Sequence, residues 1–256
     1  MRNTCRADEM PRRLKLIVAY DGMDFAGWQS QAHRNTIQDQ LERAFHRVSG
    51  EEVRVHGAGR TDAGVHALGQ CAHVDVTEAN LSASDWSRAL NALLPPSIRV
   101  MRSSFVSNRF HARLSATGKV YRYRLWSGPV LPPHEHGRAW HLAAEVEFDK
   151  LQKAAQQFIG THNFAAFAAN RGHTEPNTTR TIHSVRIQRR GACVNVEFCG
   201  EAFLYKMVRL MVGSIVQCAL GKETVAEIAN QLATGKSSQR RLVAPAAGLF
   251  LVRVRY

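Results

Sequence analysis

Glu52-Val53-Arg54-Val55-His56-Gly57-Ala58-Gly59-Arg60-Thr61-Asp62-Ala63-Gly64-Val65-His66-Ala67 is the stretch on which the fold turns. Val53 to Val55 alternates with polar neighbours and predicts a strand. Glycines at 57, 59 and 64 then end it. Glycine tolerates positive φ and lets other groups approach the backbone closely. One cation, Arg60, and one carboxylate, Asp62, sit inside this loop. Loops on a rigid scaffold are where chemistry concentrates. Taken alone, the same composition suits a turn in which Asp62 hydrogen-bonds its own backbone. The rest of the chain has to decide.

Upstream, Leu14–Tyr20 predicts a first strand and residues 21–29 a glycine-punctuated loop. Thr36 suits a helix N-cap, with Ile37, Leu41, Ala44, Phe45 and Val48 at helical spacing and Gly50 as the stop. Downstream, Gln70–Val76 predicts a returning strand. Ser82 or Ser84 caps a helix through Leu94, ended by Pro95-Pro96, and Ile98–Ser104 is another strand. The order is βαββαβ. The polar connector 105–116 holds the domain boundary. The division is a disordered basic tail over 1–12, one α+β domain over 13–113 and a second over 114–256.

In the second domain, Lys119–Trp126 alternates as a strand with an aromatic-rich face. Residues 129–141 predict a Pro- and His-rich loop, Phe148–Phe158 a helix, and 160–176 a loop with a short helix. Thr181–Arg189 and Ala192–Cys199 form a hairpin. Phe203–Leu220 is a buried helix, Thr224–Ala233 another, Lys236–Arg241 a mobile basic loop and Leu249–Tyr256 the last strand. Both halves fit a ferredoxin-like plan, an antiparallel sheet with helices on one face. No repeat is visible in the sequence itself.

Lys and Arg total 34 against 21 Asp and Glu, a formal charge of +13. Such an excess points to a polyanionic partner, nucleic acid first. The apolar run from Phe203 is broken by Lys206 and Arg209 and makes a poor membrane span. The five cysteines are scattered without a CxxC pair, which fits reduced thiols and a cytoplasmic location.

His134-Glu135-His136 is the nearest approach to a metal motif, and a solvated loop explains it better. Gly235-Lys236-Ser237 resembles the end of a phosphate loop, but Asn230 stands where its first glycine belongs. No nucleophile elbow is present. Arg109-Phe110-His111-Ala112-Arg113 and Lys119–Trp126 interleave cations with rings that suit RNA, although Tyr121, Tyr123 and Trp126 also suit an ordinary strand. An arginine in an otherwise apolar helix, Arg209, calls for a buried acid or a route to the surface. Asp62 is the acid to name.

Several motifs then fall into one order. They are Tyr20-Asp21-Gly22, Phe25-x-Gly27-Trp28-Gln29-x-Gln31 and Thr36-Ile37-Gln38, then Gly57 to Ala67, Leu90 to Pro95 and Phe110 to Arg113. Lys119-x-Tyr121-Arg122-Tyr123, Phe158-x-Gly160-Thr161-His162, Phe203 to Arg209 and Ala244-Pro245-Ala246-x-Gly248-Leu249 complete the series. Together they resemble the tRNA pseudouridine synthase A (TruA-like) family over nearly the whole chain. Asn163 and Leu210 depart from the family pattern, at positions where Asp and Asn are usual.

The resemblance implies two antiparallel sheets joined into one extended sheet, with the active-site cleft between the halves. It implies a cofactor-free, metal-free isomerase that turns uridine into pseudouridine at positions 38, 39 and 40 of the tRNA anticodon stem-loop. On the matching motif positions, Asp62 is the nucleophile and Arg209 its ion-pair partner. Arg60 fills the space of the flipped base and Tyr121 contacts that base. A carboxylate suits this role because it forms an ester-like adduct and leaves again. The family also implies a homodimer acting on tRNA, with no membrane partner. Two other readings compete: a non-catalytic protein with two RRM-like halves, and a hydrolase that frees uracil. The RRM signature run is absent from both halves.

Overall fold

A computed structural model of the chain describes residues 11–32, 35–77, 81–144, 146–170, 172 and 175–256. The expected basic tail lies outside these residues up to position 10. By internal contacts the chain divides into two units. The first runs to Ala116 and includes Tyr256; the second is Thr117–Arg255.

The first unit contains strand β1 (Arg12–Tyr20), helix α1 (Ile37–Ser49), β2 (His56–Gly57), β3 (His66–Val76), α2 (Ala83–Leu93) and β4 (Ile98–Val106). Its strands lie in the order β4-β1-β3-β2, each antiparallel to its neighbour. Leu14, Leu16 and Val18 alternate onto one buried face, opposite Val74, Ala72 and Gln70 of β3. The apolar sides of α1 and α2 close over it, with Phe45 and Trp86 rings 5.1 Å apart. Both helices start on a capping box, Thr36 with Asp39 and Ser82 with Asp85. Such a cap is worth about 1 kcal/mol.

The strand expected over Val53–Val55 is a correction. Residues 51–55 join no ladder, and the Val55 N–H donates to the Glu42 side chain instead. Pairing is confined to His56 with His73 and Gly57 with Ala72. β3 in turn starts at His66, before the expected Gln70.

The second unit contains β5 (Gly118–Ser127), β6 (Trp140–Leu142), α3 (Phe148–Gln156), β7 (Gly160–Asn163), β8 (Thr179–Arg190) and β9 (Cys193–Gly200). Helices α4 (Met207–Ala219) and α5 (Val225–Thr234) and strand β10 (Leu249–Arg255) complete it. The order is β10-β5-β9-β8-β7, antiparallel throughout, and β6 runs parallel to the end of β5. Two of the expected loops therefore contain strands, β6 and β7, each too short to leave a period in the sequence.

Helix α4 begins at Met207, not Phe203. Lys206 just before it is left-handed, with φ 57°, the single non-glycine residue of that kind among the described residues. Every α4 residue except Arg209 is buried. The all-round apolar reading therefore holds, but Arg209 sits in the first turn and not mid-helix. No helix is long and apolar enough to cross a membrane among the described residues.

Candidate active site

Residues 58–65 connect β2 to β3 and are seated on two glycines of the preceding motifs. A Cβ on Gly27 would fall 2.6 Å from the Thr61 carbonyl oxygen and 3.0 Å from the Asp62 carbonyl carbon. Gly27 also has φ +92°, which L side chains rarely adopt. A Cβ on Gly22 would fall 2.0 Å from the Val65 carbonyl oxygen. The first loop of the chain therefore runs directly beneath the loop that carries Asp62, backbone against backbone.

Hydrogen bonds fix this contact. The Trp28 N–H donates to the Thr61 carbonyl at 3.0 Å. The Tyr20 and Thr61 hydroxyls meet at 2.8 Å in the interior. The Gly22 N–H donates to His66 Nδ1 at 3.1 Å. Trp28 itself is 2% exposed, and a Cβ on Gly57 would fall 2.5 Å from its indole. The start of α1 joins in, because the Ile37 and Gln38 N–H groups donate to the Gly27 and Trp28 carbonyls.

The loop closes on a turn in which the Val65 N–H donates to the Asp62 carbonyl at 3.1 Å, with Gly64 at φ 75°. Thr61 is buried, Arg60 is exposed and Asp62 is half-buried. Pinning Thr61 by its side chain and its carbonyl orients the residues on either side of it. Arg60 Nε reaches Gln29 Oε1 at 3.2 Å, and Gln29 in turn donates to Gln38. A cation and a carboxylate are thus displayed from a segment that cannot sag. That is the preorganisation a reacting carboxylate needs.

In the second unit, Tyr121 on β5 is 8% exposed and meets Phe203 edge to face at 4.9 Å. Tyr123 is fully buried, and its hydroxyl donates to the Pro245 carbonyl at 2.7 Å. Burial pushes its phenol well above the ordinary range, against the pull of the Arg209 charge. Arg209 Nε donates to the Ala244 carbonyl at 2.7 Å, and the Ala244 N–H donates back to the Arg209 carbonyl at 3.1 Å. A Cβ on Gly213 would fall 1.9 Å from the Leu242 carbonyl oxygen, so residues 242–245 bed directly along α4. The motif from Ala244 to Gly248 thereby locks both Tyr123 and Arg209. Arg60 and Asp62 share one loop of the first unit; Tyr121 and Arg209 belong to the second.

The set-aside motifs resolve into ordinary structure. Glu135 pairs with Arg124, with both carboxylate oxygens within 2.7 Å of Nη2. No group of three metal-capable side chains occurs among the described residues. Gly235 is the left-handed C-cap of α5, φ 69°. Of the two departures from the family pattern, Asn163 accepts from the Ala165 N–H and the Thr178 hydroxyl, as an aspartate would. Leu210 is 2% exposed and packs in the core.

Comparison with known proteins decides the lineage. The family model described as tRNA pseudouridine synthase matches residues 16–113 and 154–256. The chain belongs to the tRNA pseudouridine synthase family. It is 45% identical over 252 residues to tRNA pseudouridine synthase A of Akkermansia muciniphila, covering 95% of each chain. It is 40% identical to the protein of that name from Acetivibrio thermocellus, covering 96% of this chain and 100% of the relative. It is also 40% identical to tRNA pseudouridine synthase A 1 of Desulfotalea psychrophila at the same coverage. Arg60, Asp62 and Arg209 lie within the residues the family model matches, and Tyr121 lies between its two segments.

Tyr20, Gly27, Trp28 and Thr61 brace the loop without standing out in the sequence as parts of the site. Their signal was present, since all four sit in the family motifs, but their contacts to one another are long-range and leave no spacing pattern.

Proposed function

We propose that the protein isomerises uridine to pseudouridine in the anticodon stem-loop of tRNA, with Asp62 as nucleophile. The observation that carries this reading is the seating of Asp62. Its loop is braced by Gly27, Trp28 and Tyr20 in a chain that belongs to this family.

In this reaction the bond from N1 of uracil to the ribose C1′ breaks. The base turns, and C5 bonds to C1′. The C5 proton leaves and N1 gains one, so no external reagent is consumed. Asp62 adds to the substrate and is expelled again, at either the sugar or the base. Arg209 supplies the positive charge that partners this carboxylate in the family pattern. Tyr121 contacts the target base and assists removal of the C5 proton. Arg60 fills the gap left when the nucleotide is flipped, a step costing a few kcal/mol and least near the loop. The same reading includes a homodimer in the cytoplasm; a molar mass of one chain in light scattering would remove the dimer from it.

The test is unmodified tRNA carrying tritium at uracil C5. Tritium released to water with the base retained is the expected result. Free uracil would indicate the hydrolase, and RNA binding with neither product a binding module. Asp62→Asn is expected to lower turnover at least about a thousandfold while tRNA still binds. Wild-type rates in that variant would remove Asp62 from the nucleophile role.

A further inference from the structure

Residues 107–115 follow β4 as a chain of turns, yet they are held more firmly than an ordinary surface loop. The anchors lie on the sheet face opposite Leu14, Leu16 and Val18, where Arg13, Lys15, His56 and His73 project. Arg13 forms a two-pronged pair with Asp75, at 2.7 Å for each contact. Its remaining nitrogen donates to the Asn108 and Phe110 carbonyls, also at 2.7 Å. The Ala112 N–H donates to His73 Nδ1 at 3.1 Å, and the Tyr256 hydroxyl donates to the Ala112 carbonyl at 2.7 Å. The Phe110 ring, which the sequence offers for stacking on a base, is packed against Tyr256 at 4.9 Å. Lys15 lies over both rings.

What this fastened segment leaves outward is charge. Arg109 and Arg113 are exposed. Neither guanidinium has a hydrogen-bond or ion-pair partner among the described residues, whereas Arg13, Arg122 and Arg124 are each paired with a carboxylate. Solvated arginines are common, but they do not need a backbone pinned by four hydrogen bonds at Asn108, Phe110 and Ala112. A guanidinium fork on a fixed backbone is the arrangement that recognises phosphate oxygens at low entropic cost. The segment also flanks the entry to the Asp62 loop, because the rings of His111 and His56 lie 6.0 Å apart and His56 is the first residue of β2.

We infer that residues 107–115 form a preorganised contact for the RNA sugar-phosphate backbone, with Arg109 and Arg113 as its phosphate-binding side chains. This rests on the reading that the substrate is tRNA. The segment sets affinity and register, and it takes no part in bond making.

The test compares two double variants that remove equal charge, Arg109→Ala with Arg113→Ala, and Arg43→Ala with Arg47→Ala on the exposed side of α1. Binding of unmodified tRNA is measured from ~50 to ~200 mM salt. For the first variant, the slope of log K against log salt is expected to flatten by about 1 per arginine. KM rises and kcat stays unchanged. The α1 variant keeps the wild-type slope. An unaltered slope in the first variant, or equal flattening in both, overturns the inference. Failure of the wild type to bind tRNA would instead overturn the reading beneath it.

Discussion

The two units share a strand order and differ in what they do with one connection. With the short β6 and β7 set aside, the order read from each unit's first strand is fourth-first-third-second in both: β4-β1-β3-β2 and β10-β5-β9-β8. In the second unit, the link between the two inner hairpin strands is tight. It is Gly191 and Ala192 between Arg190 and Cys193, with Gly191 at φ 57°. In the first unit the same link is residues 58–65, and its leading strand is cut to two residues. The proposed site sits where the common plan is broken. The hairpin that closes tightly holds a sheet together; the one that opens displays Arg60 and Asp62 on a braced loop.

The sharpest way to break this comparison is Gly27→Ala. The new Cβ meets backbone, which cannot swing away, at a residue with φ +92°. A loss of about 3 kcal/mol in urea unfolding is expected, with a fall in turnover. A variant as stable and active as wild type would mean the loop is not seated there.

Next is pH. Burial, with Arg13, His111 and His56 nearby, lowers His73 to about 4 against the pull of Asp75. The folded ring stays neutral, while the unfolded ring takes a proton near 6.5. The stabilisation is therefore complete above about 6.5 and is lost as pH falls toward 4, by about 2 kcal/mol. Urea midpoints between pH 7 and pH 4.5 test this. An equal fall in a His73→Gln variant would assign the effect elsewhere.

Tyr20→Phe removes one hydroxyl and leaves that of Thr61 buried without it. A loss of about 1–2 kcal/mol is expected, with lower kcat and unchanged KM. A change confined to KM would place Tyr20 in substrate binding instead.

Smallest is Gly191→Ala in the tight hairpin. Nothing lies within 4 Å of the new Cβ, so the backbone cost alone applies. About 1 kcal/mol and full activity are expected. If it damages turnover as Gly27→Ala does, the contrast between the two links is lost.

Much of this was legible from residues. Thr36 and Ser82 mark helix starts because a side chain that accepts the N3 amide is a local signal. Thr224 does the same for α5, one residue before its first turn. Helix α4 has no such cap; Lys206 makes no side-chain cap bond, and an apolar run gives no reason to exclude Phe203–Tyr205. β2, β6 and β7 were misread or missed because two to four residues hold no period. Asp62 and Arg60 were named through a glycine-rich loop and a family pattern. The brace beneath them joins positions 20, 27 and 28 to 57 and 61, and only folding brings those together.

One feature of that brace gives the molecule an optical probe of its own. Trp28 lies under Gly57, shielded from water. The other three tryptophans, Trp86, Trp126 and Trp140, lie elsewhere in the chain. With those three replaced by phenylalanine, the emission of a single indole would report the loop directly. Its colour follows hydration, so any lifting of residues 57–61 as RNA arrives reads out as a red shift in real time, separate from turnover.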